Sequence, residues 1–178
     1  MFEYRIDPEL ALALPRPEYD AAPLFALVQQ DRTILGRYLP WVAGMQTAAQ
    51  EAAFLQMTLE HYAAHQSLNL VVHYQDEQAG MISFNRLDHE NHAADLGYWL
   101  GVAYQGQNIM HRAVSGMCAL GFTDLALHRL VIRAAVDNTA SNRVAQKAGF
   151  TLEGMIRDNE LLADGYHDEN QYSRLKTD

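Results

Sequence analysis

From Met1 to Leu14, apolar side chains fall on every second position where the chain is extended: Tyr4, Ile6, Leu10, Leu12 and Leu14. That alternation is the mark of a half-buried strand. It predicts two short extended pieces, broken at Asp7-Pro8 and ended by Pro15 and Pro17. The period then lengthens. Leu24, Leu27 and Val28 share one face of a helix predicted over Asp20 to Gln30. Thr47 and Gln50 have capping-box spacing. The helix they open runs to about His65, with Phe54, Leu55, Thr58, Leu59 and Tyr62 on one face. Between the two helices, Asp31 to Val42 is irregular and apolar, with Ile34, Leu35, Tyr38, Leu39 and Trp41. Such a stretch either lines a pocket or plugs the core, and core packing is the more ordinary role.

The second half alternates again. Leu68 to Tyr74 reads as a strand, Asp76 to Gly80 as a hairpin turn, Ala79 to Leu87 as the next strand. Asp88 to His92 turns into a third strand, Ala93 to Leu100, completing an antiparallel meander. A helix from Ile109 to about Phe122 follows, then the β-branched strand Arg129 to Val136. A strand reached through a helix can lie parallel to the one before it, so this strand is expected beside Ala93 to Leu100. Asn138 to Ala148 is a helix stopped by Gly149. Thr151 to Leu162 and Tyr166 to Leu175 form a last hairpin across Ala163-Asp164-Gly165. No internal repeat, linker or low-complexity segment interrupts the order.

One junction carries chemistry. The Ala93 strand feeds the Ile109 helix through a tight polar loop, Tyr104 to Asn108. A helix N-terminus presents unpaired N–H groups and the positive end of the helix dipole, which together attract phosphate oxygens. The loop lacks the Lys-Ser/Thr of a triphosphate-binding loop and the three glycines of the dinucleotide fingerprint. An anion there would be held mainly by backbone amides. A plain helix cap needs similar residues, so the loop alone is a weak signal.

Composition narrows the picture. The 178 residues fit one domain, 1–178, with a sizeable core, and 49% hydrophobic with 20% charged residues is a soluble globular balance. The net charge of −9 argues against nucleic-acid binding, which needs a basic stripe, and suits a cationic amine substrate. The single cysteine, Cys118, excludes an internal disulfide and fits a reducing, cytoplasmic compartment. It lies among Met117, Ala119 and Leu120 and reads as a buried, inert thiol. No secretory signal or membrane-length apolar run is present, and the eight histidines have no metal-ligand spacing.

Gln105-Gly106-Gln107-Asn108-Ile109-Met110 resembles motif A of the GNAT N-acetyltransferases, Gln/Arg-x-x-Gly-x-Gly/Ala. Asn108 stands where the family has Gly, and Met110 where it has Gly or Ala. Asn is the residue that best tolerates a left-handed backbone after glycine. The run Asp137 to Phe150 is similar to the Asn-x-x-Ser-x-x-x-x-x-x-x-Gly-Phe block of the RimJ/RimL branch, and Gly97-Tyr98-Trp99-Leu100 and Leu152-Glu153-Gly154 match it too. The resemblance covers nearly the whole chain and is strongest from Ala79 to Tyr172.

The resemblance implies a single-domain α/β GNAT fold: a mixed, mostly antiparallel twisted sheet flanked by helices. It implies acetyl-coenzyme A as cosubstrate, its pyrophosphate on the amides of Gln105 to Met110 and its pantetheine arm paired with one of two splayed strands. Asn138 is suited to cap its helix, and the resemblance adds a hydrogen bond to the cofactor arm. By the same likeness Ser141 protonates the leaving thiolate and Glu160 is the general base, with His167 an alternative base because histidine titrates near neutrality. The implied reaction is acetyl transfer to a primary amine, foremost a protein N-terminal amine as on ribosomal proteins. The acceptor pocket would be built from Arg32 to Val42, the loop after Gln46 and the final hairpin. A small amine (a polyamine, amino acid or aminoglycoside) is the alternative acceptor. A coenzyme A-binding protein without turnover is the alternative from another class. A homodimer is the weaker expectation carried over from the branch.

Overall fold

The computed structural model describes residues 2–178. Glu3–Arg5 (β1) and Leu10–Ala13 (β2) pair as the first hairpin, Tyr4 opposite Leu12. All four β2 residues are buried, so this strand is covered on both faces rather than half-buried. Pro17–Gln30 (α1) begins three residues before the expected Asp20 start. Pro17 is no breaker there, because a first-turn proline has its φ preset and lacks only an N–H that would be unpaired. Arg32–Leu35 (α2) and a 3₁₀ turn at Pro40–Ala43 order the stretch read as irregular. Ala48–Ala63 (α3) opens with the capping box: Thr47 accepts from Gln50 N–H, and Gln50 Oε1 accepts from Thr47 N–H.

The remaining elements are Leu68–Tyr74 (β3), Glu77–Asp88 (β4), Ala93–Leu100 (β5), a 3₁₀ turn at Val102–Tyr104, Ile109–Thr123 (α4), Arg129–Ala135 (β6), Thr139–Lys147 (α5), Thr151–Leu162 (β7) and Gly165–Leu175 (β8). The β3–β4 turn is shorter than Asp76 to Gly80. Only Gln75 and Asp76 bridge the strands, both at positive φ (52° and 68°), as a right-handed hairpin twist requires. Gly80 belongs to β4. At φ 156° a Cβ there would sit 2.1 Å from the Trp99 carbonyl oxygen, so the strand crossing excludes a side chain.

The sheet order is β1-β2-β3-β4-β5-β6-β8-β7. Every pairing is antiparallel except β5 with β6, which is parallel. Strand alternation sends Leu12, Val72, Ile82, Leu96 and Ile132 to one face, where α4 covers them with Ile109, Val114 and Met117. The other face packs Val71 and Met81 against Ala21 and Leu24 of α1 and Leu55 of α3. Fully burying one such side chain contributes roughly 1.5–3 kcal/mol. No helix among the described residues is long and apolar enough to cross a membrane.

Candidate active site

β5 and β6 stay together for only three pairs, Ala93 with Arg129, Ala94 with Leu130 and Asp95 with Val131. Beyond Asp95 they part. β5 keeps β4 on one side through Leu100, and β6 keeps β8 through Ala135. The two edges facing the gap have no strand partner, so their backbone groups are open to an added extended chain. The gap widens into a cleft of about 830 Å³, and its lining includes Gln105, Gly106, Asn108, Ile109, Met110, Asn138, Ser141 and Glu160. Residues expected on three separate segments therefore meet in one place. Gln107 does not line it; its side-chain amide donates to the Ala103 carbonyl at 2.7 Å. His167 is also outside the lining.

Because side chains alternate across a strand, β5 gives the cleft two different walls. Leu96, Tyr98 and Leu100 face α4 and α5. Trp99 faces the opposite way, onto Val28, Leu35 and Val42. Leu35, Tyr38 and Leu39 line the cleft on that second side, so the apolar stretch after α1 does both jobs proposed for it.

At the loop end, Asn108 stands at φ 64°, ψ 11°, the left-handed conformation of the glycine it replaces, and directly precedes α4. Its side chain caps nothing in the helix and instead accepts from Lys147 Nζ at 2.6 Å. Among the described residues, no acceptor is paired with the backbone N–H groups from Gly106 to His111. They form a donor row at the positive end of a helix of 15 residues. Ile109 and Met110 are buried in the core, so Met110 anchors the helix start. His111, Arg143 and Lys147 add a basic rim to this end.

These contacts set the expected effect of Asn108→Gly. Glycine removes the left-handed strain that asparagine still bears, below the ~1–2 kcal/mol of an ordinary residue, but the Lys147 hydrogen bond, worth about 0.5–1.5 kcal/mol, is lost. The two nearly offset, and calorimetry with coenzyme A should give a Kd within about fivefold of the parent. A larger loss would mean that the tethered Lys147 itself holds the ligand.

At the middle of the cleft, Asn138 caps α5: its Oδ1 accepts from Ser141 N–H at 3.2 Å. Its Nδ2 has no acceptor among the described residues and remains available. Ser141 Oγ lies 3.0 Å from the Tyr98 hydroxyl, which also donates to the Ser141 carbonyl at 3.2 Å. Burial pushes the Tyr98 phenol up to about 12, so it stays protonated. In the sequence Tyr98 carries part of the family likeness, in Gly97-Tyr98-Trp99-Leu100, but nothing there gives it a role at the site.

The far end is acidic. Asp95, Glu160 and Glu169 line it, with Arg133 the cation among them, 3.3 Å from Asp95. Glu160 is half-buried on β7, opposite His167 of β8. Burial raises its carboxyl above the ordinary carboxylate range; the Glu169 charge and hydrogen bond add to that, and His167 opposes it. His167 is itself held by Asp164 at 2.8 Å and stands 3.7 Å from Asp137, and these acids raise its pKa. Arg37 and Tyr38 reach the same Asp137, at 2.9 and 3.1 Å, and strap the segment after α2 across the cleft mouth. No group of three or more potential metal-ligating side chains occurs among the described residues.

A cleft with backbone donors and cations at one end, carboxylates at the other and two open strand edges between them suits a long anionic cosubstrate meeting a cationic acceptor. Comparison with known proteins agrees. The model of the acetyltransferase (GNAT) domain matches residues 9–151. The ribosomal-protein-serine acetyltransferase of Escherichia coli (strain K12) is 34% identical over 158 residues, covering 89% of this chain and 88% of that protein. The structure of RimL, the ribosomal L7/L12 alpha-N-protein acetyltransferase, in complex with coenzyme A superposes with a TM-score of 0.93 at 30% identity, over 98% of both chains. The microcin C7 self-immunity acetyltransferase MccE, in complex with acetyl-CoA and AMP, gives 0.90 at 32% identity, over 96% of this chain and 94% of that one. Cleft, sheet order and likeness along nearly the whole length converge: the chain belongs to the GNAT acetyltransferase family and is an acetyl-coenzyme A-dependent N-acetyltransferase.

Proposed function

We propose that the acceptor is the N-terminal amine of a protein, a ribosomal protein foremost, and that Glu160 and Ser141 serve its acetylation as base and acid. The observation that carries the reading is the polarity of the cleft. Acetyl-coenzyme A supplies the activated thioester. The Gly106 to His111 amides receive the pyrophosphate, and the basic rim supports them. The acceptor ammonium is drawn to the acidic end, where Glu160 takes its proton, through a water or directly. The free amine attacks the thioester carbon; a C–N bond forms and the C–S bond breaks. Ser141 gives its proton to the departing thiolate and takes back the second proton that the nitrogen sheds as the amide forms, with the Tyr98 hydroxyl alongside the serine oxygen.

The test of the acceptor is coenzyme A release measured with a peptide bearing a free N-terminal serine, the same peptide N-acetylated, and spermidine. Turnover confined to the free-amine peptide supports the reading. Turnover confined to spermidine transfers the assignment to the small-amine alternative, which the acidic end also suits; a spermidine N(1)-acetyltransferase of Escherichia coli (strain K12) is 26% identical over 54% of this chain. Release with none of them, in a protein that binds coenzyme A, favours a non-catalytic binder. A ribosomal acceptor would place the protein in the cytoplasm.

Ser141→Ala is expected to lower kcat by about 10²-fold, the lower end for loss of a general catalyst, with the acceptor KM unchanged. Tyr98→Phe, which removes one hydrogen bond from Ser141, should cost about tenfold. Equal kcat in parent and Ser141→Ala would remove the serine from the mechanism.

A homodimer is part of the same proposal. β7 ends the sheet as an almost wholly exposed edge strand, with Leu152, Met155 and Leu161 each more than half exposed. A long apolar edge invites pairing with another chain. Light scattering should give twice the chain mass, and Met155→Lys with Leu161→Lys should reduce it to one. A parent that is monomeric at micromolar concentration sinks this part alone.

A further inference from the structure

β7 carries an irregularity at the acidic end. Ile156 pairs with Glu169 and Glu160 with His167, so three residues of β7, Arg157 to Asn159, oppose the single Asp168 of β8. Asp158 adopts φ 50°, and its N–H donates to the Asp168 carboxylate at 2.9 Å, which holds the bulge in shape. Bulges re-aim side chains. This one brings Asn159 and Glu160 together over Glu169, and all three line the cleft. Glu160 and His167 are directly opposed and so share a face, and Glu169, two residues on from His167, shares it too. Glu169 is 7% exposed; the neutral Asn159 amide donates to it, and among the described residues it forms no salt bridge. A buried carboxylate without a cation is a costly arrangement that a stable fold does not need.

We propose that Glu169 is a positioning residue for the acetyl transfer: pinned by Asn159 beside Glu160, it holds that carboxyl toward the acceptor and makes it a stronger base. The proposal rests on the reading of Glu160 as base. His167 on β8 also acts on Glu160, and the other charged groups facing the same cleft are Arg133 on β6, Asp95 on β5 and Arg143 and Lys147 of α5. Glu169 is a like charge on the same face of the hairpin as Glu160, and its removal acts in one direction. Glu169→Gln keeps the shape, deletes the charge and offers an amide donor, so the Glu160 carboxylate becomes easier to form and weaker as a base.

The experiment has two readouts on Glu169→Gln, with Glu169→Asp as a variant that keeps the charge. The first is carboxyl ¹³C NMR of glutamate-labelled protein, with Glu160→Gln used for assignment. Glu160 should titrate about one pH unit lower in Glu169→Gln and close to the parent in Glu169→Asp. The second is the pH profile of kcat/KM with acetyl-coenzyme A and an N-terminal serine peptide, where the acidic limb should move to lower pH by the same amount while the KM for acetyl-coenzyme A stays put. An unmoved Glu160 titration overturns the proposal. A moved titration with an unmoved acidic limb leaves the carboxyl pair standing and overturns Glu160 as the base. A peptide that is no substrate leaves the titration to decide the pair.

Discussion

Glu160→Gln should lower kcat by about 10²–10⁴-fold, the range for removing a general base, with the Kd for acetyl-coenzyme A unchanged. An amine of pKa near 8 is mostly protonated at neutral pH, so a proton must leave before the nitrogen can attack. In the parent, Glu160 as the proposed base works only as the carboxylate. Its folded-state pKa is raised by burial and by Glu169, so activity is present above that raised value and is lost as pH falls through it. The acidic limb therefore lies higher than an ordinary glutamate would set it. Glutamine does not titrate, and in Glu160→Gln the acidic limb should disappear together with most of the rate. Calorimetry for the cosubstrate and stopped-flow acetyl transfer against pH check the two halves separately. Near-normal turnover with the parental pH profile would leave deprotonation to bulk water, because His167 is occupied by Asp164 and lies outside the cleft lining.

The fold was largely legible in the sequence because its signals are local. The Thr47–Gln50 capping box needs only four residues to be read, and it stands in the structure. Leu68–Tyr74 and Ala93–Leu100 have the expected bounds, since apolar alternation and flanking turn residues are near in sequence. Asn108 at a glycine position implied a left-handed backbone, and it has one. What stayed hidden depends on contacts between distant segments. Tyr98 meets Ser141 across 43 positions, and Tyr38 meets Asp137 across 99. Glu169 lies in the polar run Tyr166 to Gln171, which reads as a solvated hairpin until the bulge at Arg157 to Asn159 turns part of it inward. The β7 strand was legible as part of the last hairpin, but nothing local announces that it ends the sheet with Leu152, Met155 and Leu161 exposed.

Gly106→Pro should abolish measurable coenzyme A binding, whereas Gly106→Ala should weaken it by only about 5–30-fold, the factor for 1–2 kcal/mol of left-handed strain. Gly106 has φ 73°, and a Cβ built there meets nothing within 4 Å. Space is therefore not the constraint; backbone conformation and the N–H are. Alanine keeps the donor and can hold the left-handed conformation at a cost. Proline fixes φ near −65° and has no N–H, so the loop must rearrange and one donor of the row from Gly106 to His111 is deleted. Rearrangement also shifts Asn108, whose own left-handed turn aims the first amides of α4 and whose side chain is tied to Lys147. The side chain of Gln107 points back to Ala103, so Gln107→Ala serves as the matched control and should bind within about twofold of the parent. Circular dichroism on all three variants checks that α4, anchored by buried Ile109 and Met110, still forms. Folded Gly106→Pro protein with parental affinity would show that the phosphates are held elsewhere, and the basic rim of His111, Arg143 and Lys147 would then be the place to look.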